Sequence, residues 1–156
     1  MSNSLHVWVD ADALPRAARD ILFRAIERMN VPCSLVANRP VRTPNSPLFD
    51  SVLVPAGFDV ADEHIVEQIN AGDLVITQDI PLAAAAIERG AFAMDPRGRE
   101  HTEDNIGERL ATRDLLDELR STGVQTGGPP PYDQKASHAF ASALDRFLTK
   151  HGRKKP

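Results

Sequence analysis

The chain has almost no cysteine, no long apolar run and no surplus of positive charge, and each absence removes a class of protein. A single cysteine, Cys33, in 156 residues excludes an intramolecular disulfide and any multi-cysteine zinc site. It falls in an apolar run, where a thiol serves as a small buried hydrophobe. No apolar stretch approaches the ~20 residues that span a bilayer, so no membrane partner is expected. Residues Met1 to His6 carry neither a basic segment nor a long apolar one, so no signal peptide is read there and a cytoplasmic setting is expected. The net charge of −4 excludes a strong whole-surface field for nucleic acid, while leaving room for a local basic rim. There is no Walker loop, no GxGxxG and no GxSxG. Among His6, His64, His101, His138 and His151 no two have metal-ligand spacing.

What is present is the composition of a soluble globular protein. With 42% hydrophobic residues and no internal repeat or composition break, one core is expected. We read one domain over 1–150 and a basic tail over 151–156.

The organising stretch is Val7-Trp8-Val9-Asp10-Ala11-Asp12-Ala13-Leu14-Pro15. The apolar run from Leu5 to Val9 reads as a buried parallel strand. Two acids stand where that strand ends, and Pro15 is placed to open a helix. Leu74 to Thr77 followed by Gln78-Asp79-Ile80-Pro81 has the same grammar. Between and after them come strands at Cys33–Ala37, Ser51–Val54 and Ala91–Met94. Residues 38–47, with Pro40, Pro44 and Pro47, form a loop or extended arm between the first two, and helical stretches separate the others. The last two helices are expected over about 103–121 and 135–150, with Ile106, Leu110, Leu115, Leu116 and Leu119 as the apolar set of the first. This alternation predicts a three-layer α/β/α sandwich around a mainly parallel five-stranded sheet.

In such sheets ligands bind beyond the carboxyl ends of the strands. Asp10 and Asp12 follow the first strand, Asp79 the fourth and Asp95 the fifth, while Asp59 and Asp62 start the helix after the third. If the strands are neighbours, these acids collect at one end of the sheet. Crowded carboxylates need a counter-charge, and Mg2+ or Mn2+, which prefer oxygen ligands, would supply it. The plainer alternative for Asp59, Asp62 and Asp79 is helix capping. Thr77 is a candidate hydrogen-bonding partner in the cluster. Asn38 and Arg97 are candidate substrate contacts at strand ends, and Thr126-Gly127-Gly128 could offer backbone N–H groups to an anion.

On the words Trp8-Val9-Asp10-Ala11-Asp12-Ala13, Gly57-Phe58-Asp59-Val60-Ala61-Asp62, Gly72-Asp73-Leu74-Val75-Ile76-Thr77 and Asp95-Pro96-Arg97-Gly98, the chain resembles the YaiI/YqxD family of uncharacterised bacterial proteins. One departure is Leu14, where that family usually has cysteine. The family looks PIN-like, which implies an acidic cluster holding Mg2+ or Mn2+ for RNA cleavage. On that resemblance Asp10, Asp62 and Thr77-Gln78-Asp79 match the PIN pattern, with Asp10, Asp59, Asp62 and Asp79 as metal ligands and Asp12 orienting water. The mid-chain glutamate common in PIN domains has no clear counterpart. Strand-Asp-x-Asp is also similar to the opening of haloacid dehalogenases, in which Asp10 would be a nucleophile and Asp12 an acid/base. A non-catalytic module binding RNA or a protein is the remaining alternative.

Overall fold

The computed structural model describes residues 5–57, 59–128 and 130–152. Phe58, Pro129 and most of the expected basic tail (153–156) lie outside the described residues. Six strands and five α-helices are present: β1 (Val7–Asp10), α1 (Arg16–Met29), β2 (Cys33–Ala37), β3 (Phe49–Leu53), α2 (Val60–Gln68), β4 (Leu74–Ile76), α3 (Ile80–Glu88), β5 (Phe92–Met94), β6 (Glu100–His101), α4 (Glu103–Ser121) and α5 (Gln134–His151). A 3-10 turn, Ala11–Ala13, links β1 to α1.

The strands lie in the order β3-β2-β1-β4-β5-β6. The first five are parallel, and β6 pairs antiparallel with β5. The sheet therefore has one strand more than the sequence predicts. Two residues, Glu100 and His101, are too short a run to show a strand period.

Strand alternation builds two cores, because successive side chains point to opposite faces. Val7 and Val9 of β1, with Leu74 and Ile76 of β4, pack under Leu22 and Ile26 of α1 and Phe140 and Leu144 of α5. Trp8 and Val75 point the other way, to Ile65, Leu82 and Ala86 of α2 and α3. Each fully buried Leu, Ile or Phe is worth about 1.5–3 kcal/mol, so these few positions hold the helices on the sheet. Cys33 is buried among them, and burial pushes its thiol up in pKa.

The fourth helix departs from its expected role. A capping box between Thr102 and Asn105 starts it where the sequence indicates, yet none of its residues is buried. Ile106, Leu110 and Leu119 are half-buried, and Leu115 and Leu116 are exposed. The cause is position: α4 follows the edge strand β6 and packs on α3, not on the sheet.

At the end of β4 opposite its acids, Asp73 is 3% exposed. Its carboxylate accepts the backbone N–H of His6 (3.2 Å), the indole N–H of Trp8 (3.1 Å) and the N–H of Asn70 (2.9 Å). The β1 segment and the 70–73 turn that leads into β4 are thus tied at one buried carboxylate.

Candidate functional site

Chain order reverses between β1 and β4: β1 leads outward to β2 and β3, and β4 leads the other way to β5. A crevice at the carboxyl ends of such strands is where open α/β sheets bind ligands. Asp10 closes β1 at that point, and Thr77 and Asp79 follow β4. Thr77, buried, donates its hydroxyl to Asp10 Oδ2 (3.0 Å) and accepts the N–H of Asp79 (2.9 Å). One side chain therefore sets the spacing of two acids.

Asp79 caps α3 by accepting the Leu82 N–H at 2.9 Å through one oxygen. Asp59 opens α2 without making a capping bond. Its backbone is left-handed, φ +64°, a region that non-glycine residues other than Asn and Asp seldom enter. Asp62, three residues on and so on the same helical face, completes a group in which Asp59, Asp62 and Asp79 each place one oxygen within 4.8 Å of the others. No salt bridge reaches Asp10, Asp59, Asp62 or Asp79 among the described residues.

The electrostatics follow from that crowding. Burial first, then the charges of Asp79 and Asp10, a hydrogen bond with Asp79 and the charge of Asp59 push the Asp62 carboxyl up to about 7. Asp10 is raised by burial, against the Thr77 hydrogen bond and with the charges of Asp79 and Asp12. A donor set made only of oxygen and carrying excess negative charge suits a hard divalent cation.

Stability should report this strain. An acid whose pKa rises on folding binds its proton more tightly in the folded state, so stability falls as pH rises from about 4 through about 7. Asp62 is only half-buried, so solvent screening discounts the expected loss to about 1 kcal/mol, or about 2–4 °C in Tm. Scanning calorimetry between pH 4.5 and 7.5 without metal, on the parent and Asp62→Asn, checks it. The site account fails if the variant does not flatten the parent's decline.

The remaining expected site residues separate into three places. Asp12 is turned toward β2: Oδ2 accepts the Asn38 N–H at 2.9 Å, and Oδ1 lies 3.8 Å from Arg39 Nε, covered and without a hydrogen bond. Asn38 is thereby engaged through its backbone, with an exposed side chain. Gln78 joins the two sides by donating to the Ala13 carbonyl at 2.6 Å. Asp95, which stands at the same end of the sheet, is consumed by its own loop, accepting the N–H groups of Arg97 and Arg99 and the Arg99 Nε. That turn needs Gly98, at φ +87°, because a Cβ would stand 2.5 Å from the Ala139 carbonyl oxygen of α5. Arg97 donates to the Pro130 carbonyl and lies 5.5 Å over the Tyr132 ring, and among the described residues it forms no salt bridge with Asp10, Asp59, Asp62 or Asp79. Thr126, Gly127 and Gly128 face Asp79 across an open cleft of about 660 Å³.

Sequence reading passed over four arginines that line that cleft, Arg99, Arg109, Arg113 and Arg120. A signal existed: Arg109, Arg113, Leu116 and Arg120 recur at helical spacing and so share one face of α4.

A family model described as uncharacterized, YaiI/YqxD family, matches residues 8–150. The chain belongs to the YaiI/YqxD family. The match begins before Asp10 and ends beyond the α4 arginines, so it spans every residue of this site. The chain is also similar to UPF0178 proteins of Burkholderia ambifaria (58% identical, covering 96% of this chain and 99% of the relative), Thioalkalivibrio sulfidiphilus (56%, 94% and 99%) and Bordetella petrii (55%, 92% and 96%). No solved structure matches this YaiI/YqxD chain. Among the described residues no helix is long and apolar enough to cross a membrane.

Proposed function

We propose that this chain is a divalent-metal-dependent nuclease on a PIN-like fold that hydrolyses RNA phosphodiesters. The observation that carries this reading is the group Asp59, Asp62 and Asp79 at the switch point of the parallel sheet. Three oxygen donors with no salt-bridge partner among the described residues fit Mg2+ or Mn2+. When bound, the ion supplies positive charge to a phosphoryl oxygen and acidifies a water. Asp59, Asp62 and Asp79 would hold it. Asp10 stands beside that group, and its Thr77 hydrogen bond fixes the direction of its carboxylate. We assign Asp10 the water: it orients the molecule whose oxygen bonds to phosphorus, and accepts its proton as the ester P–O bond breaks. Asp12, whose inner oxygen is covered, braces the ends of β1 and β2.

The test is Mn2+ titration by calorimetry, paired with incubation of a labelled single-stranded RNA in Mn2+ and in chelator. Micromolar, stoichiometric binding and cleavage that chelator stops are expected. No heat at millimolar Mn2+ with RNA present, and intact RNA, would overturn the reading. RNA binding that persists in chelator without cleavage would instead mark a binding module. A trapped phosphoaspartate at Asp10 would mark a dehalogenase-type phosphohydrolase.

A further inference from the structure

The arginine-lined cleft is contiguous with the acidic group, because Asp79 belongs to both. One wall is the α4 face carrying Arg109, Arg113 and Arg120; Thr126, Gly127 and Gly128 form part of the lining, and Arg99 adds a fourth cation. Against these four positive charges the lining holds two acids, Asp79 and Glu108. In a chain of net charge −4, this gathers four guanidinium groups on one lining, three of them ion-paired with Asp95, Asp114 and Asp117.

The guanidinium groups are held, not loose. Arg109 donates to the Glu100 carbonyl (3.0 Å) and lies 2.8 Å from His101 Nδ1. Arg113 is paired with Asp114 and Asp117, and Arg120 with Asp117 and the Thr126 hydroxyl. Exposed pairs of this kind are worth about 0–1 kcal/mol, and each guanidinium has five N–H donors. Donors therefore remain for a ligand, at little cost in rearrangement. A planar fork of donors matches phosphate geometry.

The lining also says what is not read. Among the described residues no aromatic side chain lines it, so none of them offers a platform on which bases would stack. Gly127 and Gly128 border it with no side chain to hinder approach to their backbone.

We infer that this cleft takes the phosphodiester backbone of a nucleic-acid strand, without base readout, and leads it to Asp79. The inference rests on the nuclease reading for its direction, but not for its binding. Fluorescence anisotropy in chelator, with 12-nucleotide RNA and DNA strands of mixed sequence, tests it on the parent, Arg113→Gln and Arg120→Gln. Each substitution is expected to weaken binding about tenfold and to reduce the slope of log K against log salt by about 0.7. Arg24→Gln, on the exposed face of α1, should change neither, and circular dichroism confirms folding of all four. Equal loss for RNA and DNA identifies the backbone as the ligand, whereas loss for RNA alone would overturn the backbone assignment. No binding by the parent, or parental binding by both arginine variants, would overturn the cleft itself. Cleft-dependent binding with no cleavage in Mn2+ would leave this inference standing and end the nuclease reading.

Discussion

Asp73→Ala is expected to melt about 10 °C or more below the parent. The carboxylate accepts from the His6 and Asn70 backbones and the Trp8 indole, so its removal strands three donors at a site that is 3% exposed. Leaving one buried donor unsatisfied costs about 1–3 kcal/mol. Two of the three can recover part of their loss to water, because His6 and Asn70 are not fully buried, giving about 3–5 kcal/mol. Total stabilities are about 5–15 kcal/mol, so much of the folding free energy would be lost. The damage is also concentrated: His6 stacks on Trp8 at 4.5 Å and bonds Ser34 of β2, so β1, β2 and β4 all loosen at one end. Asp73→Asn, with one acceptor oxygen and similar volume, should recover about half of the loss. Thermal melts of the three proteins decide it, and an Asp73→Ala midpoint within about 3 °C of the parent would refute the account.

Asp79→Asn should abolish both micromolar Mn2+ binding and cleavage while leaving the fold intact. Asparagine caps helices as well as aspartate, so the bond from the Leu82 N–H to the capping oxygen survives. What disappears is one negative charge from the group of three. Loss of one electrostatic contact at a reacting phosphate costs about 10²–10³-fold in rate. Asp10→Asn separates the roles: with Asp10 outside that group, Mn2+ binding should persist while cleavage falls by a similar factor. Calorimetry and single-turnover cleavage on both variants, with melts as a folding control, give the comparison. Retained cleavage in Asp79→Asn, or lost Mn2+ affinity in Asp10→Asn alone, would reverse the assignment.

Both predictions concern residues of unequal legibility. Asp79 stands out in sequence because an acid between a buried strand and a helix-opening proline is a local pattern. Asp73, one residue before the same strand, reads as an ordinary loop acid. Its importance comes from partners in β1 and the 70–73 turn that only folding brings to it. Asp95 shows the converse: it follows a strand as Asp79 does, yet its oxygens are spent on Arg97 and Arg99. Nothing in strand-end placement distinguishes the two, since the difference lies in how the following turn folds back. Asp59 reads as a helix cap and occupies the cap position, but its left-handed backbone leaves the carboxylate without a capping bond.

By itself, the sequence determined the five parallel strands and the helices, but not the two-residue β6. Helix periodicity, caps and strand alternation act between near neighbours, which is why α4 begins and ends as expected and why Val7, Trp8 and Val9 divide between two faces. Tertiary structure alone decided the order of the strands, and with it the site. Thr77 and Asp10 are hydrogen-bonded across 67 positions, and α2 swings Asp59 and Asp62 to Asp79 only because β1 lies between β2 and β4. It also decided that the apolar residues of α4 stay half-exposed and its arginines line a cleft, because the helix packs beyond the sheet's edge. Pairing between distant strands depends on the whole core being filled at once, and no local pattern carries that constraint.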